Sequence, residues 1–172
     1  DTPTNSPTST PTGVFTDTPT FQCQVGRTTS PDYEWGGGTV NSTILGTLKS
    51  IPQDSTVYDL VVYIPEDTGQ VRAALYADDG SGTQPAGLVL QAGPIDVGAG
   101  WNMLDVADVP VTAGNYWLTF QIQNGSYSVY SAAGSRYGMA SQDFGTFPAD
   151  LGSLWSSYLD NDYPVYADLC AV

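Results

Sequence analysis

The chain has no histidine, a single lysine and only two cysteines among its 172 residues. Each shortage removes a class of function. Without histidine, neither a Ser-His-Asp nor a Cys-His nucleophile can be assembled, nor a His-ligated zinc or copper site. A glycosidase built on two carboxylates survives that test. Of the 18 acidic residues two are Glu34 and Glu66, which leaves 16 aspartates. No local pattern picks a pair from them, and the expectation is a protein that is not an enzyme. Cations are equally scarce: Arg27, Lys49, Arg72 and Arg136 stand singly, and the net charge is −14. Nucleic acid demands several clustered cations, and an anionic membrane surface attracts the same clusters. Both are excluded as partners. No apolar run approaches the ~18–20 residues of a membrane-spanning helix.

What the chain does have is Thr, Ser, Gly, Asn and Tyr, with 41% hydrophobic and 12% aromatic residues. That suffices for one domain with a real core. It is a composition common among secreted β-proteins. The start at Asp1, with no Met and no apolar leader, reads as a processed product of export. Cys23 and Cys170 stand near the two ends of the expected domain. A structural disulfide between first and last strands is the leading reading. In the chain-entropy account it contributes about 4–5 kcal/mol, and it implies an oxidising compartment. Two free thiols, or bridges between subunits, are the alternatives.

Residues 1–20 differ from the rest: eight Thr, four Pro and two Ser, with Val14 and Phe15 the large apolar side chains. Alone, such a segment buries too little to offset its ordering entropy. A linker carrying Thr-linked sugars is the plain reading. The proline spacing suggests more. Pro3, Pro7, Pro11 and Pro19 all occupy odd positions. In an extended strand their missing donors therefore fall on one edge, while Thr2, Thr4, Thr8, Thr10 and Thr12 keep donors on the other. That suits a strand paired on one side only.

From residue 21 onward short strands alternate with Gly, Pro, Asn and Asp turns. Strands are expected at 21–25, 39–48, 57–64, 71–77, 88–92, 101–106, 116–123, 127–131 and 163–170. Residues 116–123 alternate most cleanly: Tyr116, Leu118, Phe120 and Ile122 face one way, Trp117, Thr119, Gln121 and Gln123 the other. Asn124-Gly125 reads as a hairpin turn into 127–131. Residues 149–158 show a helical spacing of Leu151, Leu154, Trp155 and Tyr158, good for a turn or two. The fold expected is all-β, a single jelly-roll-like β-sandwich over 21–172, preceded by an extended arm over 1–20.

The runs GQVRAALYADDG at 69–80, PAGLVL at 85–90, GWN at 100–102 and AGNYWL at 113–118 resemble the strands and loops of secreted bacterial surface β-sandwich modules. The resemblance covers 57–123 well and 20–172 loosely. It implies a cell-surface or extracellular location and a non-enzymatic role.

Several residues are candidate sites. Asp78 and Asp79 in a Gly/Ser turn, and Asp160 and Asp162 around Asn161, offer oxygens for a structural Ca²⁺, although Asp and Asn also serve as plain turn residues. Asn41 and Asn124 begin N-x-[ST] sequons and are candidates for covalent glycans. Trp35, Trp101, Trp117 and Trp155, with eleven tyrosines, serve either core packing or a sugar-stacking platform. Trp117, on the polar face of its strand, is the candidate sugar contact.

The function expected is a structural, self-assembling subunit of an extracellular filament, whose partners are copies of itself. Its N-terminal strand would insert into the sandwich of its neighbour. In layout this resembles pilus-like subunits that assemble by N-terminal strand donation. Twenty extended residues span about 60 Å. A domain of this size is roughly 40 Å across, so the arm can cross a neighbour, with Val14 and Phe15 as apolar anchors. Such a head-to-tail contact does not close and propagates as a fibre. The alternative is a carbohydrate-binding or adhesin module on a Thr/Pro linker.

Overall fold

A computed structural model of the chain describes residues 23–29 and 42–171. They form β1 (Gln24–Gly26), β2 (Thr43–Ile51), β3 (Ser55–Ile64), β4 (Gln70–Asp78), β5 (Pro85–Asp96), β6 (Gly100–Val111), β7 (Gly114–Gln123), β8 (Tyr130–Ser141), β9 (Trp155–Asp162) and β10 (Val165–Ala171). The described residues contain no α-helix. A single 3₁₀ turn, Gly152–Leu154, precedes β9.

Two antiparallel sheets result, ordered β1-β10-β3-β6 and β5-β4-β7-β2-β8-β9. Without β8 and β9 the second sheet reads β2-β7-β4-β5. The connections β2–β3, β3–β4, β5–β6 and β6–β7 all cross between sheets. This is the interleaved double Greek key of a jelly roll, with β8–β9 as a hairpin inserted before the last strand.

The core lies between the sheets. Alternation on β7 sends Leu118, Phe120 and Ile122 into it, where they meet Leu60, Val62 and Ile64 of β3 and Val165, Ala167 and Leu169 of β10. Burial of these side chains is the main stabilising term, ~1.5–3 kcal/mol for each large one. Turns are built by side chains: Asp78 Oδ2 accepts the N–H groups of Gly80 and Gly82 at 2.9 Å, and Asp79 Oδ1 accepts that of Ser81 at 2.8 Å. Gly80 and Gly82 have φ of 91° and 69°, which glycine adopts without a steric penalty.

A second apolar cluster sits on the outer face of the larger sheet. Ile44, Ala74, Tyr76, Trp117, Ala140 and Trp155 pack there against Phe147 and Leu151. The last two belong to the strap of residues 142–154, the β8–β9 connection folded back across the sheet. Tyr76 Oη donates to Pro148 O (2.7 Å), Leu88 N to Ala149 O (2.9 Å), and Gln121 Nε2 to Gln142 O and Asp143 O (3.0 and 3.1 Å). Trp155 lies flat across Gly138, where a Cβ would come within 2.5 Å of the indole.

Three expectations are corrected here. Trp117 is fully buried, because the strap covers the face that its polar neighbours seemed to mark as wet. It is no sugar contact. Asn124-Gly125 does not make a hairpin: β7 pairs with β4 and β2, while β8 begins at Tyr130 and pairs with β2 and β9. The spacing of Leu151, Leu154, Trp155 and Tyr158 belongs to a 3₁₀ turn running into a strand. The expected strands at 21–25 and 39–48 lie partly outside the described residues.

Candidate assembly site

β1 is only three residues long and, among the described residues, forms one edge of the smaller sheet. Gln24, Val25 and Gly26 pair with Asp168, Ala167 and Tyr166 of β10, extended by Leu169 N→Cys23 O (2.8 Å) and Arg27 N→Val165 O (3.0 Å). Gly26, at φ 124°, sits so close to Val165 O and Leu118 Cδ1 that a Cβ has no room. Beside the edge is an open hollow of about 350 Å³ lined by Cys23, Gln24, Gly26, Thr28 and Asp168.

The sheets are stacked with β1 over β2, β10 over β7, β3 over β4 and β6 over β5. Among the described residues the larger sheet therefore outruns the smaller one, and β8 and β9 extend past β1. Register fixes which side chains line this ledge. Leu45 faces the core and pairs with Met139, Thr47 pairs with Tyr137, and those two pair with Ser156 and Tyr158. Met139, Tyr137, Ser156 and Tyr158 thus share the inner face of β8–β9. Tyr137 and Tyr158 meet at 5.4 Å between ring centroids, and Tyr158 is 48% exposed.

The ledge is held at its root by charge. Asp162, 4% exposed, accepts from Lys49 Nζ (2.6 Å), Thr47 Oγ1 (2.7 Å) and its neighbour's Tyr163 N (3.0 Å). Asp160, at φ 73°, accepts Gly134 N at 2.9 Å. At the start of β8, where Tyr130 pairs with Asp162, the Arg27 guanidinium lies 3.6 Å over the Tyr130 ring, and Tyr130 Oη donates to Thr29 O at 2.6 Å. Burial pushes the Tyr130 phenol up against the opposing pull of Arg27, so it remains a neutral donor.

The opposite side of the sandwich is protected. β5 carries Pro85 and Pro94 and three register shifts; β6 carries Pro110 and one. Prolines and bulges on an edge block the pairing of another strand. The β1 and β9 edges have neither proline nor lysine.

Across the outer face of the smaller sheet Asp59 pairs with both Asp105 and Asp168. Desolvation, and then the charges of Asp105 and Asp168, raise the Asp59 carboxyl above its ordinary 3.8. A folded pKa above the unfolded one means that ionised Asp59 opposes folding, and that the penalty fades as pH falls through the folded value. Asp59→Asn is expected to gain a few tenths of a kcal/mol at pH 7. The gain should shrink as the pH falls through the raised folded pKa and be gone below the ordinary 3.8, as urea titrations of both proteins will read.

The remaining candidates divide clearly. Cys23 and Cys170, the pair expected to bridge first and last strands, are brought together as neighbouring thiols with sulfurs 3.0 Å apart. Hydrogen bonding to Cys23 is the first cause that raises the Cys170 thiol, followed by desolvation. The carboxylates of Asp78, Asp79, Asp160 and Asp162 accept protein N–H or O–H groups. Among the described residues no group of three or more Cys, Asp or Glu is placed to hold a metal. Asn124 ends the β7 turn at φ 57°. Asn41 and the arm positions Thr2, Pro3, Thr4, Pro7, Thr8, Thr10, Pro11, Thr12, Val14 and Phe15 lie outside the described residues, as does Trp35. The ledge itself escaped sequence reasoning, since its residues signal nothing until the register brings them together. No family model, curated protein sequence or solved structure matches the chain.

Proposed function

We propose that the chain is the subunit of an extracellular filament, in which residues 1–20 of one copy pair with the β1 edge of the next. The observation that carries this is the mismatch of the two sheets. A strand added beside β1 continues the smaller sheet and lies over Tyr137, Met139 and Tyr158, covering the ledge left by β8 and β9. Main-chain hydrogen bonds supply affinity and alternate side chains supply register. In an extended strand successive side chains point to opposite faces, so either Val14 or Phe15 would meet the ledge. In sequence the arm lies just ahead of β1. Pairing with the outer edge of its own β1 would require a reversal, whereas a neighbour is reached without one.

Electrostatics favour the same contact. Residues 1–20 contain only Asp1 and Asp17 as charged side chains, while the whole chain carries −14. Like-charged bodies repel within the screening length of about 8–10 Å, and a near-neutral connector avoids most of that repulsion. The alternative, a carbohydrate-binding or adhesin module, has less behind it. Tyr63, Trp101 and Tyr166 meet edge to face at 65–75°, which makes no coplanar platform for a sugar ring.

Removing residues 1–20 tests the reading. The shortened chain is expected to be a soluble monomer that binds a synthetic peptide of residues 1–20, while the full chain forms fibres in negative stain. Fibres that persist without the arm would sink it.

A further inference from the structure

We propose that β9 is a second contact between copies of this chain, pairing antiparallel with β9 of another subunit and joining filaments side by side. The inference rests on the filament reading above. Five large hydrophobic side chains are exposed among the described residues, and three of them fall within six positions: Leu154 (49%), Tyr158 (48%) and Leu159 (51%). They flank both sides of this edge, Tyr158 on the ledge and Leu159 on the opposite face, where single exposed apolar residues would call for no explanation.

β9 is also the outermost strand of the larger sheet among the described residues. Over residues 155–159 it offers a row of main-chain donors and acceptors with neither proline nor lysine to discourage pairing, two of the devices by which edges are ordinarily protected; its inward-pointing charge, Asp162, stands at the far end of the strand, where Lys49 neutralises it. Its charge singles out the occupant. Residues 154–159 (LWSSYL) carry no charge in a chain with 18 acidic side chains and 4 basic ones. Two such acidic bodies can approach closely only through an uncharged surface, and β9 presents one that is complementary to itself. A twofold antiparallel pair makes the contact isologous. Leu159 lies on the face opposite Tyr158, so the contact leaves the ledge free.

The size of the contact sets where it acts. A strand pair of this length buries only a few hundred Å² on each side, below the roughly 1,000 Å² in total of a specific interface. Two isolated subunits therefore do not dimerise through it. Filaments that present the same strand at every subunit do associate, because repeated weak contacts multiply.

The test uses the full chain and the double variant Leu154→Glu/Leu159→Glu. Both leucines are half exposed, so the thermal midpoint should not move. Wild-type filaments are expected to lie in bundles in negative stain and to pellet at low speed. The variant should give single filaments of ordinary length, with the bundled fraction lost. Hydrogen exchange on the wild type provides a second reading independent of the variant: amides of β9 should gain protection when filaments bundle. Bundles that survive both substitutions, or wild-type filaments that never bundle, overturn the inference alone. Outward-facing amides of β9, those not bonded to β8, that are already protected in dispersed filaments mean that the chain caps its own edge, which also overturns it. If the wild type forms no filaments at all, the filament reading fails first and takes this one with it.

Discussion

Trp117→Ala is expected to cost about 3–5 kcal/mol, the range for emptying a fully buried aromatic site. The side chain is 0% exposed and packs edge to face on Trp155 at 5.1 Å, with its Nε1 donating to Asp78 Oδ1 at 3.0 Å. The loss is larger than one cavity suggests, because the strap of residues 142–154 rests on this indole and its neighbours. With the base removed, the hydrogen bonds from Tyr76 and Gln121 have less to hold. Chemical denaturation should show the full loss, corresponding to a midpoint drop of roughly 6–20 °C for a domain this size. Chymotrypsin should cut after Phe144 before the domain unfolds globally, the Phe147-Pro148 bond being resistant to it. Trp117→Phe keeps most of the packing and forfeits the hydrogen bond, for about 1–2 kcal/mol. A loss below 1 kcal/mol for the alanine variant would mean that the strap is held by its main-chain bonds alone.

The contrast between the two faces of β7 explains what the sequence made legible. Tyr116, Leu118, Phe120 and Ile122 alternate with period two, and that pattern is local, so it survives in the sequence and locates the core face. Whether the other face meets water depends on residues 142–154, which begin some twenty positions later and return by tertiary folding. No local signal on β7 announces them. The strand expected at 127–131 overlaps only the start of β8, Tyr130–Ser141, for a different reason. Its residues are small and polar, and Gly138 is required by the ring of Trp155 rather than by strand propensity. β9 hid behind a spacing that also fits a helix, since a short run of Leu, Trp and Tyr does not distinguish the two periods. The ledge needs the register of β2, β8 and β9 together. The Asp162 carboxylate, readable as a Ca²⁺ ligand, is claimed by Lys49, more than a hundred positions away.

That last pair sets the second large effect. Asp162→Ala is expected to cost about 3–5 kcal/mol, as when one member of a buried ion pair is removed. The carboxylate side chain is 6% exposed and Lys49 is 19% exposed, so little water can replace what is lost. Two donors are stranded together, the Lys49 ammonium and the Tyr163 amide, while the Thr47 hydroxyl keeps Arg136 O at 3.1 Å. Replacing both partners, Lys49→Met with Asp162→Leu, should cost much less, because the burial penalty of the lysine disappears along with the attraction. The double-mutant comparison in urea separates these terms. Asp162 also closes β9 and leads into β10 through Tyr163, and it ties that corner to β2. Asp162→Ala should therefore loosen the root of the ledge, and hydrogen exchange should show β9 opening ahead of β3 and β7. Binding of the 1–20 peptide to the armless domain should then weaken, even at temperatures where the variant is folded. If that binding is unchanged while stability falls, the ledge is not where the arm docks, and the acceptor must be sought elsewhere along the β1 edge.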